Sequence, residues 1–228
     1  MFESVHVIGA GRVGSAVSAR LRERGIHVRA GAELVLLCVP DSAIADVART
    51  IEPGPWIAHV SGATTLRALD PHRRRFGMHP LQTFTLTRGP EQLDGAWAAV
   101  TAETEEARER GRDLADALGL QPFDLDDAAR SLYHAGAAIA SNYLVTLHAA
   151  ASRLLGAAGA PPDALVPLMK RTIENGFELT GPIARRDWET VDGHVAAIRD
   201  ATPELESLYT VLGDATAVLA NEQGLASR

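Results

Sequence analysis

Three histidines and one asparagine stand in this sequence where acid–base chemistry could use them. His59 begins His59-Val60-Ser61-Gly62-Ala63 and His79 begins His79-Pro80-Leu81-Gln82-Thr83-Phe84, each at the end of a short apolar run that reads as a strand. His134 and Asn142 lie eight residues apart in a stretch that reads as one long helix, a little more than two turns, which puts them on a shared face. Imidazole suits proton transfer because its ordinary pKa lies near neutrality. His79 or His134 is therefore expected as a general acid/base and Asn142 as the group that orients a carbonyl or imine, with His59 and Ser61 beside them. For each histidine alone, a hydrogen-bonded structural imidazole is the competing reading. His59, His79, His134 and His194 could also converge on a metal, but no two of them have i, i+4 spacing, and no metal site is expected.

A second constellation is made of glycine. Gly9-Ala10-Gly11-Arg12-Val13-Gly14 is a G-x-G-x-x-G run between an expected first strand and an expected helix, the setting that gives the pattern its value. Such a loop lets the backbone approach a pyrophosphate seated on the helix N-terminus. Gly9, Gly11, Arg12, Val13 and Gly14 are the expected cofactor-binding residues. Val39 and Pro40, at another strand end, are expected near the nicotinamide ribose. Arg29 stands where an acidic residue would meet the adenosine ribose, and it could instead contact a 2′-phosphate.

These residues need elements to hold them. Strands are expected at Ser4 to Ile8, Ile26 to Arg29, Leu34 to Val39, Trp56 to Val60, Phe76 to His79, Trp97 to Thr101 and near Pro122-Phe123. Helices are expected from Gly14 to Arg24, after Asp41 and Ser42 to Arg49, and from Glu105 to Leu118. This alternation implies a doubly wound, mostly parallel Rossmann-like sheet, an α/β fold. After about Leu125 the strand signals stop, and helices follow at Asp126 to Gly156, Asp163 to Asn175, Asp187 to Arg199 and Pro203 to Asn221. The expected domains are thus 1–124, Rossmann-like, and 125–228, all-α.

The sheet is expected to be cut short after its second strand. Four residues separate Arg29 from Leu34, and a right-handed crossover needs about a dozen. Four residues span at most about 14 Å, whereas a return along a full strand takes nearly 20 Å. The usual second helix and third strand, which flank the adenosine, do not fit.

Composition removes several classes. A net charge of −7 over 228 residues argues against nucleic acid or an anionic membrane surface as partner. One cysteine, Cys38, excludes a disulfide framework and a cysteine-based zinc site. The N-terminus carries no signal-peptide pattern, and a cytoplasmic location is expected. From Ser131 to Ser152 there is no charged residue, a length that could span a bilayer. His134, Ser141, Asn142, Thr146 and His148 lie inside it, however, so it is expected to be the central buried helix of a bundle.

Taken together, the motifs resemble a family of bacterial Rossmann-like proteins that carry a C-terminal helical domain of unknown function. The resemblance rests on Gly9 to Gly14, Leu36-Leu37-Cys38-Val39-Pro40-Asp41, the His59 and His79 motifs, Tyr133-His134 and Ser141-Asn142-Tyr143. It continues through Leu179-Thr180-Gly181-Pro182-Ile183-Ala184-Arg185, Thr190-Val191 and His194, and so covers nearly the whole chain. At fold level the family is similar to prephenate dehydrogenases, pyrroline-carboxylate reductases and 6-phosphogluconate dehydrogenases. The resemblance implies an NADP- or NAD-linked two-domain protein that forms a homodimer through the helical domain, and it supplies no reaction. Joined to the histidines and Asn142, it leads to the expectation of an oxidoreductase acting on a small polar, carboxylated substrate. The missing crossover keeps an alternative open: a cofactor-independent isomerase or cyclase, or a ligand-binding protein, on a Rossmann fold that has lost its adenosine pocket.

Overall fold

In a computed structural model of the chain, which describes residues 1–226, seven strands form one sheet. They are β1 (Ser4–Ile8), β2 (His27–Val28), β3 (Leu34–Leu37), β4 (Trp56–His59), β5 (Arg75–Leu81), β6 (Trp97–Thr101) and β7 (Gln121–Asp124). Their order is β2-β1-β3-β4-β5-β6-β7. Helices α1 (Arg12–Glu23), α2 (Ile44–Arg49), α3 (Glu105–Leu118) and α4 (Arg130–Ala138) accompany them. Contacts divide the chain between Ser141 and Asn142, so α4 belongs with the sheet rather than with the helices that follow.

The continuous apolar run of β3 is explained by its position. Leu34 and Leu36 face a core shared with Val5, Val17, Leu21, Phe76, Met78 and Leu114. Val35 and Leu37 face the opposite core, with Ile44, Ile57, Leu66 and Leu69. Alternate side chains of one strand thus feed both layers, so neither face tolerates a polar residue. Each fully buried leucine contributes about 1.5–3 kcal/mol relative to an exposed one.

The sheet is parallel throughout except that β6 runs antiparallel to β5. Between Leu81 and Trp97 there is only a 3-10 turn, Pro90–Leu93, and no crossover helix, so the chain returns beside the strand it has just left. Between β6 and β7 the full helix α3 restores a parallel crossover. Thr104 begins α3 by accepting from the Ala107 amide at 3.2 Å, one of the four N–H groups that a helix start leaves without a partner.

The short link after β2 is resolved by truncating β2 itself. His27 and Val28 pair with Ser4 and Val5 only, and β3 begins with Leu34 opposite the same Val5. The chain therefore crosses beneath β1 at one level and never has to return along a full strand. Two inter-strand spacings come to about 10 Å, within the reach of five residues, about 17 Å. The second helix and third strand of a full doubly wound sheet are absent, as the link length requires. The second strand is shorter than the expected Ile26 to Arg29.

In the second unit, residues after Ser141, the helices are α5 (Leu144–Ala157), α6 (Leu165–Glu174), α7 (Trp188–Ala201) and α8 (Glu206–Ala226). Asp187 caps α7 through the Thr190 amide at 3.2 Å. Arg153 pairs with Glu204, and Arg199 holds Glu206 with two nitrogens. One expectation is corrected here. Ser131 to Ser152 is not a central buried helix: α5 contains no buried residue, and Leu132, Ile139, Tyr143 and Val145 are exposed. Its many alanines allow close approach to neighbours, but among the described residues these side chains stay uncovered. Nor is it one uninterrupted α-helix, because Ile139–Tyr143 is π-helical. Among the described residues no helix is long and apolar enough to cross a membrane.

Candidate functional site

The C-terminal ends of β1, β3, β4 and β5 carry the residues of interest, as parallel strands placed side by side must do. The glycine loop joins β1 to α1. Gly9 has φ of 113°, open to glycine and strained for any other residue. A Cβ on Gly9 would strike the Cys38 carbonyl, and one on Gly14 would strike the Gly9 carbonyl. These two glycines close the loop on itself and on the end of β3. Gly11 differs, because a Cβ there would meet nothing within 4 Å. The space over Gly11 is open. No side chain caps α1, and its first turn holds no acidic residue, so its leading N–H groups lack protein acceptors. Open space above free amides at a helix N-terminus fits a pyrophosphate. Gly11 and Arg12 are exposed, and Val13 is half-buried against the core. Arg12 and Arg88 line an adjoining cleft of about 170 Å³ along α1.

The other expected cofactor contacts fall as follows. Val39 and Pro40 follow β3, where Pro40 accepts from the Ala43 amide at 2.8 Å and starts a 3-10 turn. Arg29 follows the truncated β2; its amide pairs with the Val5 carbonyl, so it stands low on β1 rather than beside Gly9. Its guanidinium turns back onto the carbonyls of Ala30 and Gly31.

Three histidines of the first unit, His59, His79 and His134, come together. His79 Nδ1 lies 2.7 Å from the Tyr133 hydroxyl, and the two rings meet edge to face. The His134 ring centroid is 6.1 Å from that of His79. Gly62 is what lets them approach: a Cβ there would come within 2.7 Å of His134 Cδ2 and 2.9 Å of His79 Nε2. His59 lies beneath, fully buried, its Nδ1 accepting from the Ser61 amide at 3.2 Å. The proton of neutral His59 therefore sits on Nε2.

Ser61 is a turn residue. Its hydroxyl donates to Thr64 Oγ1 at 2.9 Å and accepts from the Thr64 amide at 2.9 Å. Asn142 belongs to the π-helical turn and to the second unit. That turn replaces the regular α-helical periodicity on which a face shared with His134 depends. His194 is also in the second unit, 2.7 Å from the Tyr209 hydroxyl. Among the described residues no group of three or more His, Cys, Asp or Glu is arranged to hold a metal.

Two site residues escape the sequence reading. Tyr133 is visible there only as the neighbour of His134, and Arg130 only as the border of an uncharged stretch. Their spacing carries the signal: Arg130, Tyr133 and His134 are i, i+3 and i+4, one face of a helix. Arg130 is fully buried and donates from Nη1 to the Ser61 carbonyl at 2.6 Å. Its Nε is 3.2 Å from Asp127, which also accepts from the Leu66 amide.

This environment keeps the inner imidazoles uncharged. Burial, with His134 and Arg130 adding positive charge, lowers His79 to about 4, against the opposing pull of Asp41. Burial and the Arg130 charge lower His59 to about 3. Burial raises the Tyr133 phenol to about 12, so it remains a hydrogen-bond donor at neutral pH. With Tyr133 donating to Nδ1, His79 carries its own proton on Nε2, toward Gly62 and His134. A neutral imidazole held in this way can polarise a carbonyl or imine, and an exposed neighbour can exchange the proton with solvent.

A family model described as a domain of unknown function, DUF2520, matches residues 96–216. No curated protein matches the sequence. Among solved structures, the chain is similar to a candidate NADP oxidoreductase of Bacteroides fragilis, at 21% identity, covering 95% of this chain and 98% of that one, with a TM-score of 0.79. A Thermotoga maritima protein is similar at 21% identity, with 96% and 99% covered and a TM-score of 0.78. The 1-pyrroline-5-carboxylate reductase of Streptococcus pyogenes is similar at 15% identity, with 96% and 98% covered and a TM-score of 0.61. At these identities the likeness establishes the fold: Rossmann-like, with a helical C-terminal region.

Proposed function

Because the chain belongs to the DUF2520 family, a family whose description leaves its activity unassigned, we propose from its own geometry that it is an NAD(P)-dependent oxidoreductase of a small polar, carboxylated carbonyl or imine substrate. The observation that carries this is the open space over Gly11 beside the uncapped start of α1. Arg12 and Val13 would hold the pyrophosphate by their amides and Gly11 by its lack of a side chain, with Val39 and Pro40 on the nicotinamide side. When bound, the nicotinamide supplies a hydride. The protein supplies the rest: His79, oriented by Tyr133, donates a hydrogen bond from Nε2 to the reacting oxygen or nitrogen, and His134 delivers or removes its proton. Neighbours of the same fold include proteins named as an NADP oxidoreductase and a pyrroline-carboxylate reductase, in line with this chemistry. A second copy covering Val145, Val211 and Val218 of the helical second unit would make the expected homodimer.

Titration with NADPH and NADH tests the proposal. Saturable enhancement of nicotinamide fluorescence and a raised melting temperature are expected with at least one of them. No response to either at millimolar concentration contradicts it. The truncated β2, which removes the usual adenosine flank, favours one other reading: a cofactor-independent proton-transfer enzyme or a binding protein on the same histidines. That reading predicts no dinucleotide response, and binding of a small carboxylated ligand that depends on His79 and His134.

A further inference from the structure

Arg130 is the largest fully buried side chain among the described residues, and it is a cation. Such a group is costly to bury and is retained only where partners or function require it. With its side chain inaccessible, it cannot clamp a substrate carboxylate. Its surroundings show another use. Gly77 of β5 is the register partner of His59 of β4. A Cβ on Gly77 would collide with Nη2 of Arg130 and lie 3.3 Å from His59 Cε1. The missing side chain at position 77 is thus a slot in the sheet surface, filled by the guanidinium beside the His59 ring. From there Nη1 reaches up to the Ser61 carbonyl, the residue before Gly62. Gly62 in turn touches His79 and His134.

We propose that Arg130 is a positioning residue: seated in the slot left by Gly77, it ties the Ser61-Gly62 turn to α4 and so fixes the turn against which His79 and His134 pack. The groups around His79 are His59 from β4, Tyr133, His134 and Arg130 from α4, and Asp41 from the turn after β3. Asp41 alone among them favours the imidazolium, and Asp127 partly neutralises Arg130 from behind. The buried guanidinium shares the site with both inner imidazoles, so its charge bears on each. The clasp on Ser61 and the electrostatic bias come from one side chain. This inference rests on the proposed proton-handling role of His79, but it can be read without turnover.

The test follows each imidazole of the full-length protein by histidine NMR from pH 3.5 to 8, with His79 assigned through H79N. In the wild type, His79 is expected to titrate near 4. In R130M its midpoint should rise by about one pH unit or more, a tenfold change in proton affinity. R130K keeps a cation but has one nitrogen to serve both Ser61 and Asp127. In it the His79 midpoint should stay low while amide exchange in residues 61–64 speeds up about tenfold. An unmoved His79 in a folded R130M overturns the electrostatic half of the proposal, and unaltered exchange in R130K overturns the clasp. Should R130M fail to fold, R130Q, which keeps a donor for the Ser61 carbonyl but no charge, takes its place: the His79 midpoint should rise, and an unmoved midpoint overturns the electrostatic half. NADPH affinity, read in parallel, should be unchanged in both variants. Loss of NADPH binding in the wild type would sink the oxidoreductase reading and leave this result standing.

Discussion

The Tyr133 hydroxyl lies 2.7 Å from Nδ1 of His79, joining helix α4 to the end of β5 in the first compact unit. Removing that hydroxyl leaves the imidazole with no fixed tautomer. Y133F should therefore lower kcat by about 10²-fold, the scale of a lost acid–base contribution. Dinucleotide affinity should stay within about twofold, since the glycine loop is on another strand. Steady-state kinetics with a fluorescence titration checks both.

The depressed histidines predict a direction for stability against pH. A histidine whose folded pKa is lowered gains a proton on unfolding at any pH between its folded value and the ordinary 6.5. The unfolded state then binds more protons, so stability rises with pH across that window and is lost as pH falls from 6.5 toward 4. Each of His59 and His79 contributes a slope of up to about 1.4 kcal/mol per pH unit. Urea unfolding at pH 7.5, 6, 5 and 4.5 should show the midpoint falling, and the fall should be shallower in H79N. A midpoint flat from 7.5 to 4.5 is the contrary result.

Gly62 should tolerate no side chain. An alanine methyl would crowd His134 and His79 at 2.7 and 2.9 Å, and overpacking of this kind costs about 1–3 kcal/mol. Because the contacts are with the functional rings, G62A should lose activity more than stability. Thermal melting beside kcat/KM separates the two. A variant with wild-type kcat/KM would refute the placement of these rings.

How far the sequence discloses this site depends on what each residue type leaves in the pattern. The glycine loop is legible because backbone geometry demands glycine: Gly9 for its dihedral and Gly14 for its contact with the Gly9 carbonyl. The missing crossover is legible because chain length is a hard limit, yet the remedy, a two-residue β2, is not, since Ile26 to Arg29 looks alike whether it pairs or not. The reversed direction of β6 leaves no mark in Trp97 to Thr101; only the absent helix before it hints at the turn back. His79 is visible at a strand end. Arg130 is hidden because a charge at the edge of a helix normally means solvent. What draws it inward is a gap in β5 at Gly77, fifty-three positions earlier in the chain.

Cys38, the only cysteine, reports on the glycine loop from below. Burial raises its thiol to about 12, so little thiolate forms at pH 8. Ellman's reagent should label the folded protein slowly, because little of this partly buried thiol is ionised, and the urea-unfolded protein at the rate of a free thiol. Equal rates would contradict the raised thiol.

The central claim is that a nicotinamide dinucleotide lies over Gly11, and G11A addresses it most directly. A methyl there meets no protein atom within 4 Å, and φ of −75° accepts alanine, so the fold should be unaffected. The same methyl would occupy the space assigned to the pyrophosphate. Fluorescence titration with NADPH and NADH, beside thermal melting of the free protein, should show saturable binding in the wild type, a loss of about tenfold or more in G11A, and melting temperatures that agree. Equal affinity in G11A, or no binding to the wild type, would contradict the account.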